Sequence, residues 1–406
     1  MPTLQTILIV LAAATAVQLG AWVFLAVRVW LDARQAPYVR DALERSTVTQ
    51  WPKVSVVVPA HNEARVARAC AESILANDYP DFELVFVLDR CTDGTRASLE
   101  PIAARDRRLR IIDNDFCPDD WAGKCNAARV GEAATDGELV LFTDADTSFD
   151  PQLLRASVSL MRERRWRMLS LFSSPTHNHW FENVVQPIAS IALLKLFPIR
   201  RANAEVDRRA FANGQFMLFE RSAYRQLGGH AAVKNDLLED MAFARLMKTL
   251  DLRQGVGVSG GMLIVSMYDS WNAFRAGWRR IYMECCVRNP GRMRRQALQI
   301  AVLGPVRAFF WAAAMVTAIA ALAFADAQVH DWATTVLWLA ISTWLVGKAV
   351  LLGLYRLCEF PLWSVFLFSA GCTAVASFFI QGARDLDRRT PVRWGGREYV
   401  LEPTNY

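Results

Sequence analysis

The first 27 residues carry no charged side chain, and 6–27 is almost wholly apolar. A helix needs roughly 20 such residues to cross a bilayer, so this stretch restricts the fold more than any other. A cleavable signal peptide is the competing reading, but the basic start expected of one is missing and the apolar run is long. Arg28, Arg34 and Arg40 come afterwards instead. That order predicts a retained anchor over residues 1–31 whose C-terminal side faces the cytoplasm.

Three more apolar stretches occupy the C-terminal third: 308–325, 332–347 (continuing past Lys348 to Leu354) and 360–380. Arg288, Arg292, Arg294, Arg295 and Arg307 precede the first, and the link 326–331 has two acids and no Lys or Arg. This pattern predicts membrane helices over 300–382, with the link outside and the central region inside. The last stretch is followed by Arg384, Arg388 and Arg389, which also favour the cytoplasm. Four simple crossings would leave that tail, 383–406, outside. A re-entrant or interfacial last segment is the alternative.

The net charge of +6 is concentrated beside the apolar segments, which reads as a membrane-surface and topology signal. No basic patch interleaved with aromatics lies elsewhere, so nucleic acid is excluded as a partner. Eight cysteines are scattered without a C-x-x-C pair or histidines at metal spacing, against a disulfide framework or zinc site. The expected location is the cell (inner) membrane, multi-pass, with the soluble domain in the cytoplasm.

That domain, about 50–290, alternates short apolar runs with amphipathic ones. Strands are expected at 54–58, 82–88, 109–112 and 138–142, with helices at 64–75, 95–104 and 124–134 between them. A β-α-β-α order implies parallel strands with right-handed crossovers. In such sheets ligands bind at the carboxyl ends of the strands. His61, Asn62 and Glu63 follow the first strand, Asp89 and Asp93 the second, and Asp144 and Asp146 the fourth. Topology therefore predicts that these groups share one rim.

Asp144-Ala145-Asp146 is a D-x-D. Two carboxylates on a tight strand-end turn can hold one hard divalent cation, which also binds a diphosphate. A solvated turn is the plain alternative, and position after a buried strand favours the metal–phosphate reading. No G-x-G-x-x-G follows the first strand and no G-x-x-x-x-G-K-[ST] occurs anywhere, which disfavours nicotinamide enzymes and P-loop ATPases. Glu239 and Asp240 precede an amphipathic helix. They read either as acids favoured by its dipole or as supplying a general base. Lys124 is either a phosphate or ribose contact or a surface lysine. The run 183–198 is too short to span and reads as a buried or an interfacial helix. Asn213 and Gln215, inside an apolar stretch, suggest hydrogen bonds to an acceptor head group or a structural network.

Taken together, VVVPAHNE (56–63), LDRCTDGT (88–95), GKCNAA (123–128), TDAD (143–146), LLED (237–240) and GWRRIY (277–282) resemble family 2 glycosyltransferases. The resemblance implies an α/β, GT-A (Rossmann-like) mixed sheet flanked by helices, with N-terminal and C-terminal transmembrane helices. It implies that Pro59, His61, Glu63, Asp89 and Asp93, with Lys124 and Asp144, hold a nucleotide-sugar, expected to be a UDP-hexose. It further implies Mg²⁺ or Mn²⁺ on Asp144 and Asp146, and Asp240 as general base. Asn213, Gly214, Gln215, Glu239, Trp278, Arg279, Arg280, Trp394 and Arg397 would serve the diphosphate and acceptor. The family's Q/R-x-x-R-W element is altered here. Gly277 stands before Trp278 and Phe274 replaces the first position, so the clamp is either Arg279 or Arg280. WGGREY (394–399) is similar to endings of relatives that glycosylate lipids. The layout resembles the lipid-acceptor branch (hopanoid-associated, carotenoid-acid and ceramide glycosyltransferases) and implies inverting transfer of one sugar to a membrane lipid. A processive polysaccharide synthase, or a membrane scaffold without catalysis, are the alternatives.

Overall fold

The computed structural model describes residues 2–207, 209–394 and 397–404, with backbone alone for Pro2, Arg393, Trp394 and Arg397. The chain starts with a long helix α1 (Pro2–Gln35) and a short α2 (Val39–Glu44). Strands and helices then alternate: β1 (Val54–Ala60), α3 (Ala67–Leu75), β2 (Phe82–Asp89), α4 (Thr95–Ala103), β3 (Leu109–Asn114), α5 (Gly123–Ala133) and β4 (Leu139–Thr143). Next come β5 (Thr147–Phe149), α6 (Leu153–Arg164), β6 (Met168–Phe172), β7 (Ser174–Pro175), α7 (Trp180–Val184), α8 (Gln186–Leu196) and α9 (Ile199–Ala202). The domain ends with β8 (Phe216–Glu220), α10 (Arg221–Gln226), α11 (Glu239–Thr249), β9 (Gln254–Val258), β10 (Leu263–Val265) and α12 (Trp271–Cys285). Four helices follow: α13 (Pro290–Ala301), α14 (Arg307–Phe324), α15 (His330–Leu357) and α16 (Phe368–Arg388). A hairpin of β11 (Val392–Trp394) and β12 (Arg397–Tyr399) comes last.

The main sheet has the order β3-β2-β1-β4-β8-β6-β9. β3, β2, β1 and β4 are parallel, whereas β8 runs antiparallel to both neighbours. The sheet is therefore mixed, as expected. The parallel strands are buried on both faces, and this explains their near-continuous Val and Leu runs. Side chains alternate between two cores. Val56, Val58, Leu84 and Phe86 face α3 and α6. Val57, Val85, Val87 and Phe142 face α5 and α11. Each such side chain contributes about 1.5–3 kcal/mol when fully buried. The first helix begins at Ala67, later than the expected 64, because Ala64 N donates to Asp93 in the neighbouring loop.

Register fixes the functional rim. Pro59 lies opposite Val87 and Ala60 opposite Leu88, while Val57 lies opposite Phe142. The residues after β1, β2 and β4 therefore emerge side by side.

Among the described residues, four helical stretches are long and apolar enough to cross a membrane: Thr3–Gln35, Pro290–Phe324, Ala327–Leu357 and Leu362–Arg388. α1, α14 and α15 pack on one another, while α16 packs chiefly on α13, α12 and α8. The run 183–198 is not one helix. It divides between α7 and α8, with Gln186, Pro187, Ile188, Ala189 and Ala192 buried. The tail is tied down as well. Leu401 is buried, Thr404 N donates to Arg288 O (2.9 Å), and Asn289 Nδ2 donates to Thr404 O (3.1 Å).

Candidate active site

The loops after β1 and β2 brace each other. His61 Nδ1 sits 2.6 Å from Asp89 O. The Asp89 carboxylate is buried and accepts from Arg90 (2.6 Å) and Asn114 Nδ2 (2.9 Å). A Cβ on Gly123 would come within 2.6 Å of that carboxylate, so only glycine lets α5 start so close. Asp93 is placed differently from the expectation. It is exposed and accepts from Ala64 N and Thr95 N, both at 3.0 Å. Against the upward pull of burial, a bond from the Thr95 hydroxyl and then these backbone bonds hold its carboxyl below the ordinary range. Asp93 is a loop brace outside the cavity, because its short side chain is used up capping the turn into α4.

The turn after β4 holds Asp144 and Asp146. Thr147 Oγ1 donates to Asp144 O (2.8 Å) and Ser266 N donates to Asp146 O (3.2 Å). Asp146 Oδ1 is sealed from solvent with no hydrogen-bond partner. Burial, then the charges of Asp144 and Glu63, push its carboxyl well above the usual range. Glu63 is likewise pushed up to about 7 by burial, Asp144 and Asp93. The cluster is short of positive charge. A buried orphan oxygen beside a second carboxylate is a donor set suited to a hard cation.

Lys124 supplies the one close positive charge described among these carboxylates. Its Nζ lies 2.7 Å from Asp144 Oδ1 and 2.7 Å from Glu239 Oε1. The contact with Glu239 is an ion pair without a well-angled hydrogen bond. Burial opposes ionisation of the lysine, but the two carboxylates raise its affinity for a proton well above the usual range. Burial also pulls Glu239 up, yet Lys124 outweighs it and keeps that carboxyl below its ordinary value. Asp240, at the start of α11, accepts from Gly214 N (2.8 Å) and Met241 N (2.6 Å). Burial and the neighbouring Glu239 charge push it up to about 7. Gly214 fits tightly here: a Cβ would lie 3.1 Å from Lys124 Nζ and 3.4 Å from Asp240 Oδ2.

On either side of Gly214, Asn213 Nδ2 donates to Gln215 Oε1 (2.9 Å) and Leu171 O (3.1 Å). Ser173 Oγ also donates to Gln215 Oε1 (2.5 Å). These two amides thus form a structural network at the cavity surface. Trp278 is buried and donates from Nε1 to Gln186 Oε1 (3.0 Å). The two arginines diverge. Arg279 pairs with Asp385 on α16 (3.1 Å), whereas Arg280 lines the cavity. A side chain at position 277 would strike the Tyr268 ring, with its Cβ 2.1 Å from the hydroxyl oxygen. This packing accounts for glycine where the family element has arginine.

His61, Glu63, Lys124, Asn213, Gln215, Glu239, Trp278 and Arg280 line one cavity of about 960 Å³ together with the aspartates. Asp89, Asp144, Asp146 and Asp240 form its acidic lining. Phe24, Leu25 and Val29 of α1, Ile191 and Leu194 of α8, and Leu354 of α15 supply apolar lining to the same cavity. Tyr399 from the C-terminal hairpin also reaches its wall, while the side chains of Trp394 and Arg397 lie outside what is described. Tyr268 and Glu359 were not foreseen in the sequence. Glu359 accepts from Ser174 Oγ and holds a left-handed backbone (φ 61°). Its position between two apolar segments was the available signal.

Residues 55–228 match the model of glycosyl transferase family 2. This segment is thus similar to the domain of glycosyl transferase family 2, and it has a mixed α/β fold. Glycosyltransferase GlyG of Streptococcus pneumoniae is 24% identical over 111 residues, covering 27% of this chain and 36% of that protein. Poly-beta-1,6-N-acetyl-D-glucosamine synthase of Staphylococcus epidermidis is 22% identical over 199 residues, covering 48% of this chain and 46% of that protein. The chain thus spans less than half the length of these curated relatives. Among solved structures, the mannosyltransferase PcManGT from Pyrobaculum calidifontis, in complex with GDP-Man and Mn²⁺, superposes with a TM-score of 0.49 at 18% identity, covering 92% of this chain and 98% of that one.

Proposed function

We propose that this protein is a membrane-held, inverting glycosyltransferase that moves one hexose from a UDP-sugar to a hydroxyl or carboxyl of a membrane lipid. The observation that carries this reading is the single cavity joining the acidic rim to the apolar helices. A donor bound at the carboxylates and a lipid entering between α1 and α8 would meet beside Asp240.

The pocket around Pro59, His61 and Asp89 would take the nucleoside. Asp144 and Asp146 would hold Mg²⁺ or Mn²⁺, which neutralises the donor diphosphate. Asp240 accepts the acceptor proton. A base is most effective with a pKa near the working pH, and burial together with Glu239 tunes Asp240 to about 7. Lys124 keeps Glu239 ionised and adds positive charge beside the diphosphate. Arg280, whose reach into the cavity Arg279 lacks, stabilises the charge that grows on the departing UDP.

The test is mass spectrometry of total lipids from cells with and without the protein, paired with UDP-sugar turnover in membranes. A new hexosylated lipid supports the reading. A long water-soluble polymer would instead support the synthase activity named for the Staphylococcus epidermidis relative, and no turnover with any nucleotide-sugar would leave a scaffold.

A further inference from the structure

Four helices are apolar enough to span, yet their packing separates one from the rest. Residues 290–324 form a single long helical stretch, made of α13, a π-helical turn (Val302–Val306) and α14. Its second half packs with α15 and α1, and its first half packs with α16. The register along this stretch is antiparallel. A Cβ on Gly304 would come 2.3 Å from that of Cys372, and one on Gly382 would come 2.5 Å from Met293 Cε. Arg294 pairs with Asp387 and Arg279 with Asp385. α16 therefore starts level with residue 304 and runs back towards residue 290, away from α14. The 18 residues of α14 rise about 27 Å at 1.5 Å each, close to the roughly 30 Å hydrocarbon layer. That layer is filled by the half of the stretch that α16 does not follow.

Both ends of α16 confirm the same level. The chain enters it from α15, whose Leu354 and Leu357 line the catalytic cavity. It leaves through the hairpin that places Tyr399 in that cavity. Just before α16, the turn Leu362–Leu367 presents Trp363 (56% exposed) and Phe366 (67%), and Trp180 (58%) lies on α7, which packs on this turn. Aromatic residues of this kind favour the membrane–water boundary.

We infer that α16 does not cross the bilayer. It stands on the catalytic side, with Trp180, Trp363 and Phe366 seated in the lipid headgroup layer beside three crossing helices. The arrangement leaves Arg384, Arg388 and Arg389 on the same side as the catalytic domain, which removes the conflict that four crossings create for these arginines.

Two measurements on the full chain decide this. A reporter fused after the last residue should lie on the same side of sealed vesicles as the catalytic domain, opposite a tag in the 326–331 link. A reporter on the opposite side from the catalytic domain overturns the inference. Thr373 is exposed midway along the apolar run, so a nitroxide on Thr373→Cys should collide with a water-soluble nickel chelate at several times the frequency seen at an exposed α14 position such as Val316. Equal, oxygen-dominated access at both positions would place α16 in the hydrocarbon and overturn it. Recovery of the intact protein in the soluble fraction would overturn the membrane assignment altogether.

Discussion

Lys124 and Asp144 form a 2.7 Å ion pair at the centre of the carboxylate cluster, and the same amino group holds Glu239 at 2.7 Å. Removing one member of a buried pair costs about 3–5 kcal/mol, because a charge is left uncompensated. Lys124 keeps about a fifth of its side chain exposed, so Lys124→Ala should fall at or below the low end of that range. Lys124→Ala combined with Glu239→Gln should recover most of the thermal stability while donor binding stays weak. Thermal melts and donor titration check this; equal recovery of both would reduce Lys124 to a structural role.

Asp240→Asn keeps the size of the side chain and removes the base. Transfer should fall by about 10²–10⁴ with donor affinity within a few fold. Single-turnover transfer and equilibrium donor binding, measured side by side, separate the two effects.

The pH dependence follows from the same residue. Asp240 is raised to about 7, so below that value it carries a proton and cannot accept another. Under saturating substrates, kcat should fall about tenfold per pH unit on the acid side of 7, as for any single required base. A flat profile between pH 5.5 and 8, measured at roughly half-unit steps, would remove Asp240 from the proton transfer.

The two neighbouring arginines should behave differently. Arg280→Ala should lower kcat by about 10²–10³, the usual loss when one stabilising donor is removed from a transition state. Arg279→Ala breaks a part-exposed pair with Asp385 and should cost only about 0–1 kcal/mol in stability with activity within a few fold.

Asp146→Ala removes the carboxylate whose Oδ1 has no partner. The protein should stay folded, since a buried oxygen without a partner disappears, and transfer should be lost. Full transfer by this variant in excess chelator would exclude the metal role; chelated wild-type protein should recover on adding Mn²⁺.

Much of the fold was legible because parallel strands covered on both faces are spelled as Val and Leu runs, as at Val54–Ala60. The placement of Asp144, Asp146 and Asp89 on one rim followed from topology alone. What could not be read was direction. Asp93 and Arg279 sit within a few residues of cavity-lining groups, yet one is consumed by a turn and the other by α16. Neighbours in sequence on a loop or helix point to different places, and only the packed structure decides which faces inward. Gly277 is a related case, because its reason lies in the ring of Tyr268, which is close in space but follows no short spacing rule. Hydropathy likewise marks α16 as a span, since it measures apolar content and is blind to the helices that cover that surface.

β8 enters the sheet between β4 and β6 although it follows both in the chain. A growing polypeptide that has reached residue 210 therefore has two unsatisfied strand edges, on β4 and on β6, and exposed edges of this kind invite wrong partners. The loop before β8 carries Asn213 and Gly214, which complete the wall around Lys124 and Asp240. Closing the sheet and finishing the pocket are thus the same late, long-range event, and long-range pairing is slow. During synthesis, the rate at which this strand docks sets how long those two edges stay open.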